Sequence, residues 1–529
     1  MTAEMDVAPA TDPDHRPDEP DRPPWRRWRP SPYLLLSTVV VLGLALIAAR
    51  RPWIGDFGLH AAVVERLRAD LLDPGNPQVA ADTASPYYSP YTVLLALVAR
   101  LTGASGVTVL TVAAPFCVAL LLYGLRRFVA VFTDSRWAPV LALVFVPLLW
   151  GPDAPAWSGF LALRGLPLIS PYPSTVATAL MLLCWAVLAA AVDRPRWWRW
   201  ALVGLLGVLT VLVHPFTGAC AVLGVLALAV GRVRRLGRAH LPGLAAGLVL
   251  ALVIALSWPY FSVLGVLSAA DDFDAIHVPL YRDPLRWYGL GFAVGLPAVL
   301  VRLRRDRLDP LAALFLITLL VVTFGGLTGR YALGRVWPVV LLSLQVALAV
   351  ELADALPGAG RAASRAWVRT RRGVAAVVSA VLTAAACVAG FSFQYGNLLL
   401  VLPQDQLSAR VRAEHRVSRP PNYGWAERHI AVGDVVLSDN RDAARALLRD
   451  GARFVTPPWP DPFLSDETQR AADQATMLNP ATPAARRREL LDRYGVDWIL
   501  TTTDGTGWVD SFAAEAVDGP GRRRLLKLR

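Results

Sequence analysis

The chain has 529 residues, of which 55% are hydrophobic, and it carries 53 basic and 41 acidic side chains, a formal net charge of +12. A soluble domain cannot bury this many apolar residues in one core, so the composition indicates a polytopic membrane protein. The basic residues lie in short segments between apolar runs, where they report orientation in a membrane and do not indicate a nucleic-acid partner.

Lysine occurs once in the chain, at Lys527. A Walker A motif needs a lysine between glycine and Ser or Thr, so ATP-driven transport by this chain alone is excluded. The cysteines all fall inside apolar runs, and neither a disulfide in an exported loop nor a cysteine zinc site is expected. They are Cys117, Cys184, Cys220 and Cys387.

The first 32 residues are rich in proline and aspartate and lack an apolar core, so 1–32 is predicted to be a disordered cytoplasmic tail. Apolar runs that can cross a hydrocarbon core of about 30 Å follow it along the chain. We place eleven of them, at 33–49, 106–125, 136–151, 174–192, 198–213, 216–231, 241–264, 286–301, 310–325, 331–352 and 373–391.

The distribution of arginine decides how the short run 90–103 is interpreted. If this run does not cross the membrane, the arginine-rich segments face the cytoplasm and the short outer loops keep only Arg164, Arg282 and Arg330. Counting it as a span would place most of these arginines outside, against the positive-inside rule. We therefore predict an interfacial or re-entrant helix within a first outer loop, 50–105, of a multi-pass cell-membrane protein.

The C-terminal part, 392–529, differs in kind from the rest of the chain. Short β-like runs, VGDVVLSDN, ARFVTPP and VDWILTTT, alternate with helical stretches such as RDAARALLRDG and AARRRELLDRYG. This alternation predicts a small extracytoplasmic α/β domain attached to a mainly α membrane domain.

An aspartate and a histidine follow the first apolar run, in RPWIGDFGLH. If a helix begins at Phe57, then Asp56 and His60 extend the apolar stripe of Val63 and Leu67 and point toward the protein body. The pair is therefore a candidate site. Two plainer interpretations stay open, with Asp56 as the N-cap of this helix and His60 as a satisfied polar residue at the lipid interface.

Other polar residues on the outer face are candidates for substrate binding. Tyr87 and Tyr88 precede the interfacial helix. His214 lies at the outer end of a span, where a polar side chain is costly, although a histidine before proline also marks a turn. Arg330 and Arg335 lie at the outer mouth of two spans and suit a lipid phosphate, with snorkelling to headgroups as the alternative.

The outer loop SAADDFDAIHVPLYRDP is acidic. Carboxylate oxygens are suitable ligands for a divalent cation, although a solvated loop is the plainer interpretation. The candidate ligands are Asp271, Asp272 and Asp274. No other cofactor is indicated.

The layout of the chain resembles the GT-C superfamily of integral membrane glycosyltransferases. The resemblance rests on one amino-proximal span, an acidic outer loop, a short helix near YYSPYTVLLALVARLTGAS, a span ending in LLYGLRRF, further spans and an exported C-terminal domain. It makes 33–391 a GT-C-like membrane domain. Asp56 matches the family's catalytic or metal-binding acidic residue, although many members carry an acidic pair where this chain has Asp56 followed by Phe57.

The resemblance implies transfer of a sugar from a polyprenyl-phosphate donor to a glycan, lipid or protein acceptor of the cell envelope. Asp56 would act as the base, His60 would orient it or contact the acceptor, and Arg330 and Arg335 would hold the phosphate. Direct attack would invert the anomeric centre. The alternatives are a lipid or polysaccharide transporter or flippase, which the absence of repeated halves disfavours, and a catalytically silent relative.

Overall fold

The structure is a computed structural model that describes residues 30–268, 273–355, 371–502 and 512–529. The described chain is mainly helical, with one small sheet near its C-terminus. Its membrane part comprises α1 (Pro32–Ala49), α2 (Phe57–Ala69), α3 (Pro90–Thr102), α4 (Gly106–Val129), α5 (Ala138–Leu148), α6 (Leu166–Ile169), α7 (Pro173–Asp193), α8 (Trp197–Val213), α9 (Pro215–Gly231), α10 (Leu241–Leu256), α11 (Val263–Ser268), α12 (Asp274–His277), α13 (Pro284–Arg305), α14 (Pro310–Thr328), α15 (Trp337–Ala355) and α16 (Arg371–Gln394).

Each of the eleven predicted spans corresponds to an apolar helix. Within the described ranges, 8 helical segments are long and apolar enough to cross a membrane, and they include α1, α4, α7, α10 and α13 to α16. The other three, α5, α8 and α9, are shorter apolar helices. The protein is therefore a polytopic membrane protein of mainly helical fold.

Two helices form the centre of the membrane part. α15 is buried along most of its length and packs against α5, α13 and α14. α7 is buried on most faces and packs against α4, α8 and α9. Both helices are apolar all round, which suits helices surrounded by other helices. The N-terminal ends of the two helices flank the site described below.

The structure differs from the predicted spans at two boundaries. α10 ends at Leu256, short of the predicted residue 264, because Pro259 follows and the chain is tied to the first outer loop. There the Trp258 indole donates a hydrogen bond to the Tyr88 carbonyl at 3.1 Å. The predicted span 331–352 begins with a 3-10 segment, Tyr331–Val336, so Arg335 lies outside the regular helix.

The C-terminal part contains a five-stranded sheet of order β2-β1-β3-β5-β4. Parallel pairing joins β1 to β2 and β3, whereas β3, β5 and β4 pair in antiparallel fashion. The predicted α/β character is confirmed. The elements are α17 (Ala409–Glu414), α18 (Gly424–Glu427), β1 (Val435–Leu437), α19 (Arg441–Leu448), β2 (Arg453–Phe454), α20 (Glu467–Leu478), α21 (Ala484–Tyr494), β3 (Val496–Thr502), β4 (Ala513–Gly519) and β5 (Arg523–Leu528).

The C-terminal part packs directly on the first outer loop. α19 lies against α2, and a Cβ at Gly58 would come within 2.0 Å of the Arg445 carbonyl oxygen, so only glycine permits this approach. Gln78 accepts from the Trp459 amide at 3.0 Å and donates back to the Trp459 carbonyl at 3.0 Å. Asp461, which is 1% exposed, accepts from Ser85 at 2.8 Å. The loop therefore fixes the position of the segment around Trp459.

Candidate active site

Asp56 lies at the N-terminal end of α2, where the sequence predicts a helix start. Its carboxylate makes no capping bond to the helix amides. Instead, its Oδ1 accepts a hydrogen bond at 2.7 Å from the indole nitrogen of Trp459, which lies 403 residues further along the chain. Within the described residues no hydrogen bond reaches the other oxygen, Oδ2. The residue is half-buried.

Trp459 is held from three directions. Gln78 fixes its backbone through the paired hydrogen bonds, and the Arg445 guanidinium lies 4.9 Å from the centre of its ring. Its indole N–H reaches Asp56. Prolines on both sides of it restrict the local backbone. The indole is therefore a pre-positioned donor to the carboxylate.

His60 lies one turn after Asp56 and is buried, as the predicted helix face requires. Its ring meets the edge of Tyr172 with centroids 4.8 Å apart, and its Nδ1 is buried without a hydrogen-bond partner among the described residues. Burial lowers the pKa of His60 to about 4, and the nearby Asp56 carboxylate opposes part of that shift. The imidazole is consequently neutral near pH 7.

Arg335 and His214 form a second group of polar residues. Arg335 is buried, and its guanidinium lies 5.0 Å from the Phe216 ring centre and 3.3 Å from Nε2 of His214. Nδ1 of His214 lies 2.8 Å from Oγ1 of Thr217 and accepts a hydrogen bond from the Thr217 amide at 3.3 Å. His214 thereby caps the start of α9, whereas its plainer interpretation predicted only a turn before proline.

The two groups lie within electrostatic range of each other. The carboxylate of Asp56 interacts electrostatically with Arg335, and His60 interacts in the same way with His214. Tyr87 also interacts with Asp56, and its hydroxyl donates to the Pro460 carbonyl at 3.4 Å. The structure therefore brings together these five predicted candidates from four separate parts of the chain.

The remaining candidates lie in other surroundings. Tyr88 is buried, and its hydroxyl donates to the Gly75 carbonyl at 2.7 Å within the first outer loop. Arg330 is exposed, in contrast to the buried Arg335. Asp274 accepts a hydrogen bond at 2.6 Å from the amide of Ala332, beside the 3-10 segment. Asp271 and Asp272 lie outside the described residues.

Metal binding stays a prediction. Among the residues that the structure describes, no three or more His, Cys, Asp or Glu side chains are grouped so that they could hold a metal ion. The predicted cation at Asp271, Asp272 and Asp274 involves two residues outside the described ranges. Asp56 has a hydrogen-bonded indole on one oxygen, which leaves the other oxygen for a ligand.

Sequence reasoning missed the C-terminal contribution to the site. Arg441 and Arg445 of α19, together with Trp459, lie near Asp56, and Tyr172 approaches it from the start of α7. Burial and the neighbouring Arg445 lower the pKa of Arg441, whereas Asp56 opposes this shift. The one local signal was TPPWPDP, where prolines flank a tryptophan in the C-terminal part.

The fold is similar to those of several solved structures, among them an oligosaccharyltransferase and an arabinofuranosyltransferase. ArnT from Cupriavidus metallidurans in the apo state matches over 93% of this chain and 97% of its own, with 15% identity and a TM-score of 0.53. The archaeal oligosaccharyltransferase AglB from Archaeoglobus fulgidus, in complex with an inhibitory peptide and a dolichol-phosphate, matches over 89% of this chain and 69% of its own, with 12% identity and a TM-score of 0.50.

A third similar structure is the arabinofuranosyltransferase AftD from Mycobacteria. It matches 89% of this chain with 16% identity and a TM-score of 0.53, and the match spans 37% of the larger AftD chain. No protein-family model and no curated protein matches the sequence. At such low sequence identity, the structural matches establish a shared fold only. The activity has to be argued from the site.

Proposed function

We propose that the protein transfers a sugar from a polyprenyl-phosphate donor to a cell-envelope acceptor on the outer face of the membrane. The observation that supports this best is the arrangement around Asp56, whose Oδ1 is held by the Trp459 indole at 2.7 Å while Oδ2 has no partner among the described residues. A carboxylate held at one oxygen and open at the other is suited to receive a proton from a hydroxyl group. The shared fold supplies the donor class by analogy.

The proposed reaction is a single displacement. The acceptor hydroxyl oxygen forms a bond to the anomeric carbon of the sugar, and the bond from that carbon to the phosphate oxygen breaks. The electron pair leaves with the phosphate, and the hydroxyl proton passes to Asp56. The products are the glycosylated acceptor and polyprenyl phosphate. Attack from the side opposite the leaving group inverts the anomeric centre.

In this proposal Arg335 stabilises the departing phosphate. Its one hydrogen bond within the described residues is to His214, so most of its N–H groups remain for phosphate oxygens. The cavity beside these two residues has a volume of about 20 Å³, room for roughly one water. A lipid phosphate therefore requires the surrounding side chains to move apart when the donor binds.

His60 has a supporting role in this proposal. Its neutral imidazole carries a buried Nδ1 without a partner in the described part of the chain, one helical turn from Asp56. This nitrogen is free to bond the acceptor or to orient the carboxylate once substrate is present. Tyr87, which interacts electrostatically with Asp56, is proposed to line the same substrate space.

The same proposal includes the orientation of the chain. The arginine distribution argues for a cytoplasmic N-terminus and an extracytoplasmic C-terminal domain, 392–529. We expect introduced cysteines in 126–135 to react only from the cytoplasmic side and those in 400–529 only from the outer side. Labelling of the C-terminal domain from the cytoplasm would contradict both the topology and the outer-face reaction.

The activity is tested with the full chain in lipid nanodiscs and a panel of polyprenyl-phosphate sugars. We expect one donor to release polyprenyl phosphate when an extract of envelope glycans is added, with an inverted anomeric configuration in the product. A transporter would instead move the intact lipid-linked sugar across a vesicle bilayer without releasing polyprenyl phosphate. That second result would overturn the proposed function.

A further inference from the structure

A second cleft lies between the first outer loop and the C-terminal part. Its volume is about 790 Å³, far larger than the small cavity beside Arg335, and the two share no lining residue. Gly55 and Phe57, the chain neighbours of Asp56, form part of its wall. We call it the arginine cleft, because its charged lining consists of one acidic residue and four basic ones: Asp442, Arg419, Arg445, Arg449 and Arg523.

The charge of the cleft is only partly neutralised by the protein. Arg449 pairs with Glu427 and Asp450, whereas Arg419, Arg445 and Arg523 form no ion pair in the described part of the chain. The Nε of Arg445 is buried and lacks a hydrogen-bond partner there. A buried, unsatisfied donor on a cation is costly. The unpaired guanidinium charges of the cleft would be offset by an anionic ligand.

Three aromatic residues form part of the remaining wall. Trp53 stacks on Phe57 with ring centroids 4.6 Å apart, and the Arg523 guanidinium lies 4.9 Å from the centre of the Tyr423 ring. Pro420 and Pro421 line the cleft next to Tyr423. Fixed aromatic surfaces with a few convergent charged groups are typical of sites for small polar ligands.

We propose that the arginine cleft binds an acidic sugar, one that carries phosphate or carboxylate groups, as the acceptor. Its identity as the acceptor rests on the proposed function, since the cleft adjoins Asp56 through Gly55 and Phe57. The binding of an anionic sugar follows from the cleft alone. Guanidinium groups recognise both phosphate and carboxylate by paired hydrogen bonds, and the cleft is wide enough for several sugar rings.

Binding is measured with the full chain in phosphatidylcholine nanodiscs. The probes are fluorescent tetragalacturonate, which carries carboxylates, and glucose 6-phosphate as a competitor, with uncharged maltotetraose as the control sugar. We expect the charged probes to bind, more weakly at high salt, and maltotetraose not to bind. Arg419→Gln and Arg523→Gln should each weaken binding roughly tenfold, as loss of a charge-assisted hydrogen bond predicts. Arg486→Gln, an exposed arginine of α21 outside the cleft, should bind as the parent does.

Three results would overturn the proposal. The first is binding of maltotetraose as strong as that of the charged probes. The second is either that the charged probes do not bind the parent, or that they bind Arg419→Gln and Arg523→Gln as tightly as they bind the parent. The third is displacement of the probe by phosphatidylglycerol added to the nanodiscs, which would make the cleft a lipid-headgroup site. Asp56→Asn should retain probe binding. If the parent protein binds the charged probes through the cleft arginines but transfers no sugar, the proposed function is overturned and the cleft remains an acidic-sugar site.

Discussion

The indole nitrogen of Trp459, in the C-terminal part, donates a hydrogen bond to the carboxylate of Asp56 at 2.7 Å. This contact links the conformation of the candidate base to the docking of the C-terminal part, because Trp459 lies 403 residues further along the chain. The first outer loop supports this contact, because Gln78 bonds to the backbone of Trp459 and Ser85 donates to the buried Asp461. The C-terminal domain is therefore a component of the candidate site as well as a cover for it.

We expect Trp459→Phe to lower kcat about tenfold, since it removes one hydrogen bond to a charged group and keeps the aromatic bulk. The KM for the donor should stay unchanged, because Arg335 and His214 are untouched. Trp258→Phe is the matched control, since that indole bonds to the backbone carbonyl of Tyr88. Equal kcat values for the two variants would show that Trp459 only supports the fold.

Arg335→Lys should lower donor affinity about tenfold or more, as lysine keeps the charge but loses the planar pair of donors. Arg330→Lys, at an exposed position of the same segment, should bind the donor as the parent does. Donor binding is measured by titration at matched expression levels. If both lysine variants match the parent, Arg335 does not contact the phosphate.

The buried His60 should make the protein less stable in mild acid. Its pKa falls from 6.5 to about 4 on folding, so between these pH values the unfolded chain binds more protons than the folded one. Stability is therefore lost as pH falls through this window, by about 2 kcal/mol at pH 5 from this residue. Thermal unfolding at pH 5 and pH 7.5 measures the loss.

His60→Gln should show a smaller difference between the two pH values than the parent. Part of the difference should persist, because burial also lowers the pKa of His277 to about 4. His429→Gln, which replaces an exposed histidine, is the control and should behave as the parent does. An unchanged pH difference in His60→Gln would rule out this role of His60 in acid sensitivity.

Gly58→Ala should loosen the contact between α2 and α19, because a Cβ there would lie 2.0 Å from the Arg445 carbonyl oxygen. We expect a loss of about 1–3 kcal/mol in stability, as for other overpacked contacts, together with lower transfer activity. Gly289→Ala serves as the control, since nothing lies within 4 Å of a Cβ there. A parent-like melting temperature and activity in Gly58→Ala would contradict the close packing.

The sequence predicted the helices and one face of the site because both depend on local patterns. Long apolar runs indicate spans, and the helical period places His60 with Val63 and Leu67 on the buried side. The contact from Trp459 to Asp56 has no such periodic signal, since it depends on how α19 docks on α2. The 3-10 segment around Arg335 could not be predicted either, because its composition is the same as that of the start of a regular apolar helix.

The central claim, that Asp56 is the base in sugar transfer, is tested most directly by the turnover of Asp56→Asn. Asparagine keeps an oxygen that accepts the Trp459 hydrogen bond, and the Asp56 side chain makes no capping bond to the helix, so the local structure should persist. Turnover with a polyprenyl-phosphate sugar is measured alongside membrane level, melting temperature and donor binding. We predict that turnover falls roughly 10²-fold or more while the other three measurements stay unchanged. Turnover equal to that of the parent would contradict the claim.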